Sequence, residues 1–324
     1  MFKRVIALAA FACLPLQAVA AKPETLPMPI AQQLPVELVL NQEEMAVVVP
    51  DTSAATAQFG LIGALIGSAI ENAAVKAGEK RVAEIRNLLL DYRFNQRIED
   101  ELREKLASDG ISPNPAVEVR KTAWDAASAV DNATLPADVL VLVPTYAMAN
   151  NFESMTVKLH ATMAHRERKP NGKVKVRNRY ARTYAFNYPL IKVSGNNADQ
   201  DAQRWVAMGS AGLAGLLDRG VEQVTDMLAY DFSSEGRAEG LAKVKAEKLS
   251  INGTAVAGRK LRSDKDWLWV RSGNGWMQAI NGYQPLSAAP IAAAEAPAPA
   301  AAPALPAAPA DTAPAPQAGA QGRP

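Results

Sequence analysis

Two stretches of alternating apolar and polar residues dominate the middle of the chain. From 155 to 163, Met, Val, Leu, Ala and Met alternate with Thr, Lys, His and Thr. After the turn sequence Pro170-Asn171-Gly172, apolar and aromatic residues take six even positions: Val174, Val176, Tyr180, Tyr184, Phe186 and Tyr188. Alternation on both sides of an Asn-Gly turn is typical of a β-hairpin. The sequence therefore predicts a hairpin whose second strand buries its even positions.

Shorter apolar runs predict further strands. Runs rich in β-branched residues occur at 36–40 and 45–49, and a third, short one occurs at 117–119. The run 138–143 is continuously apolar after its first residue, which suits a strand buried on both faces. Trp267, Trp269 and Trp276 flank the turn sequence Ser-Gly-Asn-Gly, which predicts a second hairpin. These tryptophans suit either core packing or a stacking surface for a ligand.

Apolar residues spaced by three and four predict two helical regions. The first covers about 56–107, as one long helix or a kinked pair, and the second runs from Asp199 to about Phe232. The stripe of the second region consists of Leu213, Leu217, Val221, Val224 and Leu228. Taken together, the elements predict an α+β fold in which a mixed or antiparallel sheet is packed by two long helices.

Glycines are concentrated at two places in these helical regions, one at 60–67 and one at 209–215. The segment 59–70 is apolar on every side, and the uncharged stretch around it, from Thr52 to Ile70, is near the lower limit for spanning a bilayer. A buried core helix and a membrane-associated helix both fit this segment. Small residues let helices approach closely, so we expect the two glycine groups to pack together. The helix-packing candidates are Gly60, Gly63, Gly67, Gly209, Gly212 and Gly215.

The two ends of the chain have compositions unlike the middle. Residues 1–20 combine Lys3 and Arg4, an apolar stretch and a small-x-small site, the pattern of an export signal. Four prolines in 21–35 predict an extended lead-in before a single α+β domain at 36–284. Residues 285–324 are mostly alanine and proline, which predicts a disordered tail. We therefore expect an exported protein that is either free in the periplasm or associated with a membrane.

The segment 59–70, with its G-x-x-x-G pair at Gly63 and Gly67, resembles the glycine-zipper segments of bacterial envelope proteins. The chain as a whole resembles uncharacterised exported bacterial proteins. These resemblances imply a location in the cell envelope. They imply no activity, cofactor or site residue.

The composition argues against several kinds of chemistry. The chain has 35 Lys+Arg and 33 Asp+Glu, and without Lys3 and Arg4 both counts are 33, so nucleic acid is not an expected partner. The single cysteine, Cys13, lies in the export signal, and the histidines at 160 and 165 point to opposite faces of a strand. Ser210 lacks the first glycine of a nucleophile elbow. We expect no catalytic residue, no metal and no cofactor.

The second strand of the first hairpin is unusually basic. Lys173, Lys175, Arg177 and Arg179 occupy consecutive odd positions, opposite the predicted apolar face. Across 166–192, nine Lys and Arg residues stand against Glu167 alone. The cations suit either a solvated edge that prevents strand pairing or a platform for anionic groups of a membrane, an envelope component or another envelope protein.

Two functions remain open at this point. The first is a non-enzymatic envelope accessory or interaction protein that contacts anionic surfaces through the basic strand. The second is a periplasmic hydrolase acting on a cell-wall or lipid substrate. A pocket with clustered acid, serine and histidine side chains would favour the hydrolase, and an open basic surface without such a cluster would favour the interaction protein.

Overall fold

Ten strands form one mixed sheet in the part of the chain that the structure describes. The structure is a computed structural model, and it describes residues 33–48, 73–108, 111–112, 114–123, 135–242, 247–251, 254–264, 267–273 and 275–281. The strands are β1 Pro35–Val39, β2 Ala46–Val48, β3 Ala116–Arg120, β4 Asp138–Ala149, β5 Ser154–Arg168, β6 Val174–Pro189, β7 Glu247–Ile251, β8 Thr254–Ser263, β9 Trp267–Arg271 and β10 Met277–Asn281. Their order in the sheet is β3-β1-β4-β5-β6-β10-β9-β8-β7, with β2 also beside β4.

Five helices accompany the sheet within these residues, so the predicted α+β class and the mixed sheet are confirmed. They are α1 Ala73–Leu88, α2 Phe94–Ser108, α3 Ala198–Ala207, α4 Gly209–Phe232 and α5 Ser234–Leu241. Both predicted helical regions are interrupted. The first breaks at 89–93, and the second breaks before Gly209, whose φ of +68° is readily adopted by glycine. The predicted signal and tail, and most of the lead-in, lie outside the described residues.

The sheet is antiparallel in its centre and parallel at several joins. β4, β5 and β6 form an antiparallel meander, and β9 and β10 form the second hairpin. Gly172 and Gly275, at the two hairpin turns, have positive φ, so both predicted hairpins are confirmed. By contrast, β1 is parallel to β3 and β4, and β10 is parallel to β6.

β4 contains a proline because the neighbouring strands leave a gap beside it. β1 pairs with 140–142 and β2 with 147–149, so no strand of the described residues covers that side at Pro144. The side chain of Gln42 fills part of this gap, donating to the Tyr146 carbonyl oxygen (2.6 Å) and accepting from the Tyr146 N–H (3.1 Å). The missing N–H of proline therefore breaks no strand pairing here.

The long helix α4 packs its predicted apolar stripe on one face of β5 and β6, and all five stripe residues are buried. We call this side of the sheet the helix face. At Gly220 the helix comes so close to the sheet that an added Cβ would lie 2.5 Å from Val157 and 3.1 Å from the ring of Phe186. Gly220 is therefore the glycine at the helix–sheet contact, and the sequence analysis did not single it out.

The glycines that were expected to pack two helices lie elsewhere on α4. A Cβ built at Gly209 or Gly215 meets no described atom within 4 Å, and at Gly212 the nearest is Cβ of Met208, one turn earlier. Gly60, Gly63 and Gly67 lie outside the described residues, so their packing stays a prediction. None of the helices in the described ranges is long and apolar enough to cross a bilayer.

Candidate functional site

The hairpin of β5 and β6 extends beyond the rest of the sheet at its turn end. β4 pairs with β5 only as far as Asp138 opposite His165, and β10 pairs with β6 only at 184–187. Past these points the two strands pair only with each other among the described residues. We call residues 166–179 the basic ribbon.

A β-bulge lies where the ribbon joins the sheet. Met163 pairs with Tyr180, but the next residue of β5, Ala164, pairs with Asn178. Arg179 is therefore an extra residue on β6. A bulge of this kind interrupts the alternation of side chains between the two faces of a strand.

The bulge overturns the predicted faces of the second strand. Lys175 and Arg177 project toward the same side of the sheet as Tyr180, and Val174 and Val176 project toward the other side. The expectation that the two valines share the buried face with Tyr180 is wrong, because the extra residue reverses the alternation. Val176 is 41% exposed, so the ribbon meets solvent on both faces.

The ribbon carries six exposed cations, and the four sequence candidates are among them. They are Arg168, Lys169, Lys173, Lys175, Arg177 and Arg179. Arg177 lies 3.7 Å from Glu167, and Arg179 lies 3.2 Å from Asp138, with side chains 60% and 44% exposed. Exposed pairs of this kind contribute little to stability. The ribbon is therefore a strongly positive projection whose charges are only partly balanced.

Two of the nine Lys and Arg residues counted across 166–192 are buried in the fold. The charge count alone did not distinguish them from the exposed cations. Arg166 donates from two nitrogens to the two carboxylate oxygens of Glu37, both at 2.8 Å, and both side chains are almost fully buried. Arg182 points to the helix face of β6 and lies 3.6 Å from Asp231 of α4. These residues hold the fold together and are not available to a partner.

Asp231 is the centre of a buried ionic cluster between α4 and the sheet. We define this cluster as Asp231 with Tyr180, Arg182, Tyr184 and Arg271. The hydroxyls of Tyr180 and Tyr184 lie 2.8 Å and 3.1 Å from Oδ2 of Asp231, and Arg271 donates to Oδ1. Burial, and after it the charge of Asp231, raises the pKa of both tyrosines far above the ordinary value, so both stay protonated.

The buried ionic cluster reaches further through Glu239 of α5. Glu239 accepts from Arg271 at 2.8 Å and forms a second ion pair with Arg259 of β8. The cluster thus joins two helices to three strands in a largely buried site. Sequence reasoning missed it, although Arg182 on an otherwise apolar face and Asp231 in an apolar helix end were visible signals.

A cleft of about 490 Å³ lies beside the last residues of β6 and β10. Its wall consists of Glu153, Ser154, Asn187, Pro189, Leu190, Ile191, Lys192, Val193, Ser194, Gly195, Asn196, Asp201, Arg204, Gln278 and Ile280. No histidine is among them, and Asp201 already accepts from Asn196 and Arg204. This cleft therefore does not hold the acid, serine and histidine group that a hydrolase was expected to show.

The two histidines lie on opposite faces of β5, as predicted. His165 is bound to Asp138 at 2.8 Å, and Nδ1 of His160 forms a hydrogen bond with the hydroxyl of Thr183 at 3.0 Å. Burial, with a smaller effect of the Lys158 charge, lowers the pKa of His160 to about 4. Within the described ranges, no three His, Cys, Asp or Glu side chains group to hold a metal.

The core interpretation of the tryptophans on β9 is confirmed. Trp269 is 2% exposed and donates from Nε1 to Oε1 of Gln223 on α4 (2.8 Å). Trp267 packs beside it with ring centroids 5.2 Å apart. Trp269 is therefore part of the helix–sheet core, and the partly buried Trp267 packs against it.

Comparison with known proteins adds no functional assignment. No family model matches the chain, and no curated protein matches it. A solved structure described as an uncharacterized protein is similar at 12% sequence identity, covering 63% of this chain and 95% of that one, with a TM-score of 0.24. A likeness at this level carries no argument about fold or function.

Proposed function

We propose that the protein is a non-enzymatic interaction protein of the bacterial envelope, exported to the periplasm, that attaches to anionic membrane surfaces through the basic ribbon. The observation that carries the proposal is the set of six exposed cations on a projecting two-stranded segment. We also propose that the Ala/Pro-rich residues 285–324 form a disordered tail outside the folded domain.

The arrangement of the cations suits a surface better than a single small anion. Lys175 and Arg177 project to one side of the ribbon, Arg168 to the other, and Lys169 and Lys173 flank the turn. Each Lys or Arg near an anionic bilayer contributes on the order of 1 kcal/mol. Several such contributions support reversible attachment, and added salt weakens it because the screening length shortens.

Vesicle sedimentation tests the proposal. The ribbon variant replaces Lys173, Lys175, Arg177 and Arg179 by Gln, and the matched control replaces Lys80, Arg93, Lys121 and Lys248, four exposed cations elsewhere. Both variants lose the same net charge, so only the position of the charges differs. Vesicles are either purely zwitterionic or contain phosphatidylglycerol.

We expect wild type and control to sediment with the anionic vesicles at low salt and to be released at high salt. The ribbon variant should stay in the supernatant, and zwitterionic vesicles should bind none of the three proteins. Equal sedimentation of ribbon variant and wild type would overturn the proposal and leave the cations as protection of a strand edge.

A further inference from the structure

Lys158 is a half-buried cation on the face of the sheet opposite α4. No described carboxylate lies within ion-pair distance of its ammonium group, which instead lies 5.4 Å from the centroid of the Trp276 ring. Burial lowers the pKa of Lys158, since the charged form has lost part of its hydration. A partly desolvated cation without a counter-charge is costly, and an anionic ligand would offset that cost.

Hydrogen-bonding side chains surround this lysine in the strand register. Lys158 pairs with Ala185, which in turn pairs with Gln278 of β10, so the small alanine separates two long polar side chains. The next row toward the end of β6 holds Asn187, whose Nδ2 faces Oε1 of Gln278 at 3.5 Å. An anion above Ala185 would therefore have one cation and amide donors on two sides.

The same amides open onto the cleft. Asn187 and Gln278 both line it. Lys158 does not line it, but Gln278 is in the same strand row as Lys158 and Asn187 is one row further on. The cleft wall also offers apolar groups, including Ile280, Ile191 and Val193, and the last two are 47% and 48% exposed. Its volume of about 490 Å³ is within the range of small-ligand sites.

We propose that Lys158 and the cleft form a binding site for a carboxylate that carries an apolar group. The carboxylate pairs with the Lys158 ammonium and accepts from the amides of Gln278 and Asn187, and the apolar group lies against Ile191, Val193 and Ile280. A peptide C-terminus and a fatty acid share this chemistry. The site is separate from the basic ribbon and does not depend on its function.

Calorimetric titration with two pairs of probes tests the site. N-acetyl-leucine is compared with its neutral amide, and octanoate is compared with octanol. Replacing Lys158 by Met removes the cation, and Lys175→Met is the matched control because it removes one equally positive charge from the ribbon. A charge-assisted contact of this kind is worth about tenfold or more in affinity.

We expect at least one acid to bind wild type about tenfold or more tightly than its neutral analogue. Lys158→Met should lose that preference, and Lys175→Met should keep it. Preference for N-acetyl-leucine indicates a peptide C-terminus, and preference for octanoate indicates a fatty acid. Ile191→Asp changes an exposed position and leaves the core intact. It should weaken binding of the same acid and so provides a second test.

The inference is overturned if neither acid binds wild type more tightly than its neutral analogue, or if Lys158→Met keeps that preference. Thermal unfolding of each variant shows whether it is folded under the titration conditions. Vesicle attachment of Lys158→Met should be unchanged, so failure here and failure of the ribbon proposal give different results.

Discussion

Arg177 and Arg182 lie five residues apart on one strand and project to the same side of the sheet, yet their surroundings differ completely. The Arg177 side chain is 60% exposed, and its nearest acid is Glu167 at 3.7 Å. The Arg182 side chain is 10% exposed and belongs to the buried ionic cluster around Asp231. The difference arises because α4 covers the sheet at Arg182 and no described helix covers the ribbon.

Whether a helix covers the strand, and not the residue type, decides the role of an arginine on this sheet. Under a helix, a charged group must be paired and hydrogen-bonded, and removing its partner is strongly destabilising. On an open ribbon the same group stays hydrated and contributes little to folding. Its charge is then available to an external partner.

The largest expected effect comes from breaking the buried ionic cluster. Asp231→Asn keeps the shape of the side chain but leaves Arg182 and Arg271 without its charge, which should lower the free energy of unfolding by about 3–5 kcal/mol. Urea unfolding followed by circular dichroism measures this. Glu167→Gln, which removes the partner of Arg177, should change stability by no more than about 0.5 kcal/mol. If the two variants lost similar amounts of unfolding free energy, the buried cluster and the exposed ribbon would not differ in their contribution to stability.

A slightly smaller effect is expected from His160 at low pH. Its pKa is lowered from 6.5 to about 4 in the folded protein, so the unfolded chain takes up a proton first as the pH falls. The stabilising contribution of the neutral imidazole is therefore complete above pH 6.5 and is lost between about 6.5 and 4. By linkage this loss is about 3 kcal/mol.

Urea unfolding of wild type and His160→Gln at a series of pH values isolates this contribution. Glutamine does not titrate, so the difference in stability between the two proteins should shift in favour of the variant as the pH falls from 6.5 to 4. Parallel curves over this interval would show that His160 is hydrated in the folded protein and contributes no pH dependence.

A comparison of two glycines on α4 should give a still smaller effect, with opposite signs. Gly220→Ala places a Cβ against Val157 and should destabilise by about 1–3 kcal/mol through overpacking. Gly215→Ala meets no described atom and should stabilise by up to about 1 kcal/mol through helix propensity. Thermal unfolding measures both. Destabilisation at Gly215 would show that its face packs against another part of the chain, as the sequence analysis expected.

Local patterns predicted the elements that depend on neighbouring residues. The alternation around Gly172 predicted the first hairpin, and the glycine-rich turn after Trp269 predicted the second. The stripe from Leu213 to Leu228 predicted the buried side of α4. In these cases the spacing of the apolar residues indicates which side of each helix or strand faces the core.

Features that depend on distant residues were not predictable from the sequence. Arg182 pairs with Asp231, and Arg166 pairs with Glu37, across 49 and 129 positions, so charge counting assigned both arginines to the surface. The bulge at Arg179 could not be detected from the alternation of apolar and polar residues, because polar residues occupy both faces of the ribbon. The exposed cations were found correctly, and their faces were not.

The most direct test measures vesicle binding and unfolding together for Arg177→Gln and Arg182→Gln. Arg177→Gln should lower the partition coefficient on anionic vesicles about fivefold, the equivalent of 1 kcal/mol for one cation, with stability nearly unchanged. Arg182→Gln should lose about 3–5 kcal/mol of stability. Under conditions where it remains folded, it should bind vesicles as wild type does. If Arg177→Gln bound normally, or if both variants lost binding equally, the ribbon would not be the attachment surface.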